Sequence, residues 1–373
     1  MILIILPKNN PLDSIKPKPV VSAMFPYTVY SQFVEDIRIF SPLTDNPNNQ
    51  VNFKLFPKAN YNKLCIDEIQ KLLDNNTLIP IVEVHQDVRL AGLIAKKFPQ
   101  IKVSVIKHGD YFINRFKESL AIMRLFYYRK YIRYLHSTYC ISDYVLNSLL
   151  SGYPKIKNKI FTVYNTYGHI LEEVEKKSEI VKKNQIIFVG KPVPHKGIVE
   201  FISALPEVLK QHKDYTAIIV GAFFSKKEKY AKTIEELMES SQIKELISSG
   251  RIVLFKNLTP TDVFSKMLES KIAVVPTKTK EPFGLVCLEA HLAKCAVVSS
   301  KNGGLPEVSG DYALYLKSVL LEEIVSSIDY LIKNANVLSD LSRNGYEYAY
   351  NKFAPKNLVP ILDSKRIEII NEY

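Results

Sequence analysis

Thr279-Lys280-Glu281-Pro282-Phe283-Gly284-Leu285-Val286-Cys287-Leu288-Glu289-Ala290 decides how this chain is read. A short apolar run, Ile272 to Pro276, precedes it and reads as a buried parallel strand. After it Leu285, Leu288, Leu292 and Ala296 recur at threes and fours, the spacing of a helix. The order is therefore strand, loop, helix start. A helix start offers free backbone N–H groups and the positive end of the macrodipole, where phosphates bind. Gly284 lets a ligand approach the backbone. Glu281 sits in the loop and Glu289 within the helix, where a carboxylate accepts hydrogen bonds from paired hydroxyls. Two readings stay open on spacing alone. The glutamates are either such ligands or solvated acids near a helix N-terminus, where acids are favoured anyway.

A second stretch repeats the pattern. Ile186-Ile187-Phe188-Val189-Gly190-Lys191-Pro192-Val193-Pro194-His195-Lys196-Gly197 is again strand, glycine loop and helix start, now with two lysines bracketing the loop. Two cations beside a helix N-terminus match a diphosphate.

With these residues, the chain resembles the C-terminal domain of family 4 glycosyltransferases. Gly190-Lys191 and Lys196-Gly197 come first, then Glu281 and Glu289 around Pro282-Phe283-Gly284, then Gly303-Gly304-Leu305-Pro306-Glu307. Three motifs in order are far more specific than any one alone. The resemblance implies a retaining, metal-independent enzyme of α/β GT-B fold, with two Rossmann-like, doubly wound parallel-sheet domains facing a central cleft. It implies that Lys191 and Lys196 neutralise the donor diphosphate, helped by backbone N–H groups at Gly284 and Leu285. Gly190 and Phe283 belong to the same donor site. Glu289 would hold the ribose, Glu281 the donor sugar, and the stretch from Phe255 to Leu258 would wall the base. Glu307 reads as a support of the fold. No cofactor is implied beyond the nucleotide-sugar co-substrate, and no metal. UDP is the donor nucleotide that the family's frequencies imply.

At 373 residues there is room for two domains, and 47% apolar with 24% charged residues is ordinary for a globular protein. Met1 to Leu6 is stopped by Pro7 with no basic residue before it, so it reads as a first strand rather than a signal peptide. No apolar run approaches the ~20 residues of a spanning helix. Cys65, Cys140, Cys287 and Cys295 show no C-x-x-C spacing, so neither zinc nor a disulfide framework is expected. A reduced, cytoplasmic chain follows as the expectation.

The net charge of +12 is uneven: residues 1–170 hold 22 Lys+Arg against 12 Asp+Glu, and residues 171–373 hold 28 against 26. Such segregation points to a binding face in the first half. Arg115 to His136 concentrates it, with Arg124, Arg129, Lys130 and Arg133 interleaved with Phe126, Tyr127, Tyr128, Tyr131 and Tyr134 at helical periodicity. This suits an anionic bilayer surface, or else an amphipathic helix packing its aromatics on a sheet. Nothing resembles a nucleic-acid module, so no nucleic-acid partner is expected.

The first half alternates strands (Met1–Leu6, Val51–Phe56, Leu78–Val84, Ile101–Ile106, Tyr139–Ile141, Ile160–Tyr164) with helices (Arg89–Phe98, and Asp143–Leu150 led by Ser142). This predicts a doubly wound sheet with ligands beyond the strand ends. His85 and His108 sit at two such ends, and a lone histidine there is commonly structural. In the family a histidine at the position of His108 faces the donor sugar, so His108 joins the site by resemblance and His85 does not. The family's glycine pair after the first strand is missing: Pro7 to Tyr30 has no glycine, although it holds Lys8, Lys16 and Lys18. No site residue is carried over there. The expected domains are 1–170 and 185–354, with Leu171 to Lys183 as linker. The resemblance returns a last helix, 355–373, to the first domain.

The expected function is transfer of a hexose or N-acetylhexosamine from a nucleotide sugar to a glycan or glycolipid acceptor at the membrane. The stretches Leu78–Asp87 and Ile101–Asp110 loosely resemble lipopolysaccharide N-acetylglucosaminyltransferases. Three competitors are considered. A glycosidase using Glu281 and Glu289 would have no use for the lysines. A hydrolysing UDP-sugar 2-epimerase of the same fold needs first-domain acids, where only Glu83, Asp87 and Asp110 are available. A binding protein without turnover is the third.

Overall fold

The computed structural model describes residues 1–14, 18–109, 129–175, 180–221, 231–256 and 258–372. Two compact units emerge, one of residues 1–169 and 353–373, the other of residues 170–352.

The first unit holds a seven-stranded parallel sheet ordered β3-β2-β1-β4-β5-β6-β7. Its strands are β1 (Ile2–Ile5), β2 (Ile37–Pro42), β3 (Asn52–Phe56), β4 (Ile81–His85), β5 (Lys102–Lys107), β6 (Ser137–Cys140) and β7 (Ile160–Thr162). Side chains of β1, β4 and β5 are covered on both faces, which is why β1 reads as an unbroken apolar run and why the polar Glu83, His85 and Ser104 of β4 and β5 are buried too. Sequence reading misses β2, which pairs with β1 from Ile2↔Ile37 to Ile5↔Phe40. Its Ile-Arg-Ile-Phe-Ser-Pro run mixes a charge, a hydroxyl and a proline, yet five of its six residues are buried. Helix starts obey local rules: Asp87 accepts from Leu90 N (2.9 Å) ahead of the helix Val88–Lys97, and Ser142 accepts from Val145 N (3.1 Å) ahead of Asp143–Gly152.

The terminal helix Pro355–Asn371 is fastened to this sheet through Arg366. Its guanidinium donates to both oxygens of Glu83 on β4 at 2.8 and 2.7 Å, to Asp363, to Ser31 Oγ and to the carbonyl of Tyr27. Buried charges persist only when so fully paired.

The second unit holds a six-stranded parallel sheet ordered β10-β9-β8-β11-β12-β13. Its strands are β8 (Lys183–Val189), β9 (Thr216–Val220), β10 (Ile252–Phe255), β11 (Ser270–Val275), β12 (Ala296–Ser300) and β13 (Ala313–Leu316). The order reverses between β8 and β11, the switch point at whose C-terminal strand ends ligands of open parallel sheets sit. Both motif stretches sit there. The expected linker is partly structured: Leu171–Glu175 is a helix with Val174 buried in its unit. Among the described residues no helix is long and apolar enough to cross a membrane.

Candidate functional site

The loop after β8 is pinned at its start, where Gly190 N donates to Val220 O (3.0 Å), and closes in a 3-10 turn over Pro194–Lys196. Gly197 then opens the helix Ile198–Gln211 at φ +73°. A Cβ there would lie 2.0 Å from the carbonyl oxygen of Pro276, at the end of β11, so only glycine lets the two loops meet. Lys278 N adds a hydrogen bond to His195 O (2.8 Å), and the Lys278 ammonium pairs with Glu200.

Glu281 is held by its backbone. It forms a parallel bridge with Gly303, and its carbonyl accepts from Gly304 N at 2.7 Å. Gly303 has φ +68°, and a Cβ on it would fall 2.2 Å from Glu281 O. The pair Gly303-Gly304 is thus a seat for the Glu281 backbone. Ser300 Oγ and Asn302 Nδ2 both donate to Thr277 O at 2.7 Å, bracing the same loop.

These constraints bring Lys196 and Glu281 together, Nζ to Oε2 at 2.6 Å, with both side chains about one-quarter exposed. Three residues after Glu281, Gly284 at φ +112° caps the helix Leu285–Leu292 and brings no side-chain acceptor to it. The first-turn amides of Leu285 and Val286 therefore lack an intrahelical partner. Glu289 is half-buried one turn on, and Leu258 is half-buried in the loop after β10. Lys191 is exposed at the mouth of the β8 loop, with Gly190 beside it, and makes no ion pair among the described residues. One residue behaves differently from expectation: Phe283 is only 2% exposed. Its ring belongs to the core, which leaves its backbone alone to serve a nucleotide. Glu307 accepts through its carbonyl from Tyr348 Oη (2.9 Å) and Lys352 Nζ (3.1 Å), contacts that support the fold.

In the first unit His108 follows β5 and is half-buried. Its ring Nε2 lies 2.8 Å from Nδ1 of His85 at the end of β4, and the rings stack at 5.1 Å between centroids. Its backbone N–H donates to Gln86 Oε1 (2.8 Å). Gln86 takes φ +66°, a left-handed conformation uncommon for a residue with a side chain. A cavity of about 20 Å³ adjoins the pair, lined by Tyr27, Glu83, His85, His108, Asn165 and Arg366 together with apolar side chains. Burial and the Arg366 cation push His85 down to about 3; burial, His85 and Lys107 hold His108 well below the usual histidine range. Both rings are neutral at physiological pH. Sequence reading set His85 aside and passed over Gln86; only the pairing of β4 with β5 brings the two rings together.

Arg129, Lys130 and Arg133 are exposed, whereas Ile132 and Leu135 are buried. Tyr131 packs on Gly92, where a Cβ would lie 2.5 Å from its own. This part of the segment packs an apolar side on the unit and turns its basic side outward. Arg124 and Asp110 lie outside the described residues, as does Lys16. The four cysteines are free and buried. Among the described residues no three His, Cys, Asp or Glu side chains cluster closely enough to hold a metal ion.

Residues 171–348 match the family described as glycosyl transferases group 1. Spore coat protein SA of Bacillus subtilis (strain 168) is 25% identical over 184 residues, 45% of this chain and 47% of that protein. The uncharacterized glycosyltransferase MJ1178 of Methanocaldococcus jannaschii is 26% identical over 212 residues, 56% of this chain and 53% of that one. The chain thus spans about half the length of these curated relatives. The crystal structure of Anabaena Alr3699/HepE in complex with UDP aligns over 100% of both chains at TM-score 0.74 and 15% identity. At that identity the likeness establishes the fold, GT-B, with its two Rossmann-like parallel-sheet domains.

Proposed function

We propose that this chain, whose residues 171–348 match the glycosyl transferases group 1 family, is a retaining, metal-independent glycosyltransferase. It moves a hexose or N-acetylhexosamine from a UDP-sugar to a membrane-associated glycan such as lipopolysaccharide core. The observation that carries the reading is the meeting of Lys196 and Glu281, three residues before the uncapped start of helix Leu285–Leu292, at the C-terminal ends of the two central strands where the strand order reverses. A sugar diphosphate offers an anion for each donor and hydroxyls for each acceptor of that set.

The chemistry follows from charge. As the bond from the anomeric carbon to the diphosphate oxygen breaks, negative charge grows on the diphosphate. Lys196, Lys191 and the Leu285 and Val286 amides stabilise it. Each charge-assisted contact contributes about 1.5–3 kcal/mol. Glu281 holds hydroxyls of the sugar, and Glu289 those of the ribose. The acceptor hydroxyl attacks the same face that the leaving group departs, and its proton passes to the departing diphosphate oxygen, so configuration is retained. Because the cations are built into the loop, the reading needs no metal. His108 contributes a neutral imidazole for a sugar hydroxyl.

UDP in Alr3699/HepE supports the choice of base. The exposed Arg129, Lys130 and Arg133 support an acceptor at an anionic membrane surface and a peripheral, cytoplasmic-face location. The 2-epimerase reading is weakened, because Glu83 is bound by Arg366 and Asp87 caps a helix. Incubation with labelled UDP-glucose and UDP-N-acetylglucosamine tests the proposal. Transfer, or slow release of UDP with free sugar, is expected. Interconversion of the sugar, or saturable binding with neither outcome, would overturn it.

A further inference from the structure

We infer that His85 is a positioning residue, holding the His108 ring in one orientation and one tautomer toward the donor sugar. The inference rests on the reading of His108 as a sugar contact and extends it to a residue that no sequence motif marks. Three observations carry it. First, His85 Nδ1 and His108 Nε2 are 2.8 Å apart, so one ring donates and the other accepts. Whichever ring donates, that bond ties the tautomer of His108 to that of His85, and with it whether the remaining Nδ1 meets a hydroxyl as donor or acceptor. Second, His108 is gripped twice from the same strand end. Its ring is bound by His85, its backbone N–H by Gln86 Oε1 at 2.8 Å, and Gln86 is held left-handed at φ +66°. Backbone strain of this kind persists where the surroundings over-determine it. Third, His85 is itself buried, 3% exposed at the end of the central strand β4.

The charged and titratable groups around the pair favour two neutral rings. Arg366, anchored to Glu83 and Asp363, stands beside His85, and Lys107 precedes His108 at the end of β5. Tyr27 lines the same cavity and is held in its neutral form by burial. With both rings neutral, the bond between them is directional, since each ring has one N–H and one bare nitrogen.

The test uses the full chain as wild type, His85→Asn and His85→Phe. Asparagine keeps a polar atom near the place of Nδ1, whereas phenylalanine keeps the ring shape without it. The first readout is the pair of imidazole nitrogen-15 shifts of His108, which separate a protonated from a bare nitrogen without turnover. The second is UDP release from UDP-glucose. Wild type should show one protonated and one bare nitrogen on His108, as should His85→Asn, while His85→Phe averages the two. Phenylalanine should lower kcat about tenfold or more with little change in KM for UDP-glucose, and asparagine should restore most of it. Averaged shifts in wild type, unchanged shifts in folded His85→Phe, or a kcat indifferent to His85 would overturn the inference. If His85→Phe fails to fold, the wild-type shifts and His85→Asn still decide. If wild type releases no UDP, the transferase reading fails for that donor while the shift measurement still judges the pairing.

Discussion

Lys196 and Glu281 are 85 residues apart in the chain and 2.6 Å apart in space, one leaving β8 and the other following β11. The contact joins the two motifs into one site, and it sets a competition. A sugar diphosphate that engages both must replace their mutual attraction with its own phosphate and hydroxyls. Glu281→Gln removes the carboxylate and frees the ammonium. It should leave UDP affinity equal or higher while turnover of UDP-glucose is lost, because UDP lacks the sugar that Glu281 holds. Calorimetric titration with UDP beside a UDP-release assay checks this. Weaker UDP binding in the variant would place Glu281 on the nucleotide instead.

Gly303→Ala and Gly250→Ala separate backbone strain from steric clash. Both glycines have positive φ, +68° and +72°, but a Cβ on Gly303 would strike Glu281 O at 2.2 Å while one on Gly250 meets nothing within 4 Å. Each substitution should cost about 1–2 kcal/mol from its φ alone. Only Gly303→Ala should also displace Glu281 and abolish turnover. Urea unfolding together with activity on the folded fraction distinguishes them, and an active Gly303→Ala would contradict the seat assigned to Glu281.

Acid sensitivity should trace in part to His291. Burial pushes its imidazole down to about 4, with Nε2 2.9 Å from Ser309 Oγ in the second unit. The unfolded chain, with a histidine near 6.5, takes up that proton first. The contribution of this group to the unfolding free energy should therefore be constant above about pH 6.5, fall as pH drops from there to about 4, and level off below. This one group contributes on the order of 3 kcal/mol to that fall. Urea unfolding of wild type and His291→Gln across the window is the check, the variant being expected to show a shallower slope.

The basic face carries a membrane prediction. Vesicles containing anionic lipid should retain the protein at low salt and release it as salt rises. Changing Arg129, Lys130 and Arg133 together to glutamate should remove most of the retention, at about 1 kcal/mol per basic residue. Sedimentation with vesicles measures both. Retention indifferent to salt would point to apolar burial instead.

Much of the second unit was legible because β9, β11 and β12 are buried almost throughout and its loops carry glycines that no other residue replaces. Gly197 against Pro276 and Gly303 against Glu281 are local motifs whose reason appears only in three dimensions. What stayed hidden was non-local. The strand Ile37–Pro42 lacks apolar continuity, and its burial comes from neighbours far along the chain. Phe283 sits inside a motif yet is buried in the core. The pairing of His85 with His108 needs β4 and β5 in register, His85 opposite Ile106, which no spacing along the sequence announces.

The most direct measurement is titration of UDP into chelator-treated wild type and Lys196→Ala. If lysines and helix-start amides hold the diphosphate unaided, wild type binds UDP with the same affinity before and after chelation. Lys196→Ala should then bind at least about tenfold more weakly, for the ~1.5–3 kcal/mol of a charge-assisted contact. Binding that disappears with the chelator, or survives unchanged without the Lys196 ammonium, would contradict the account.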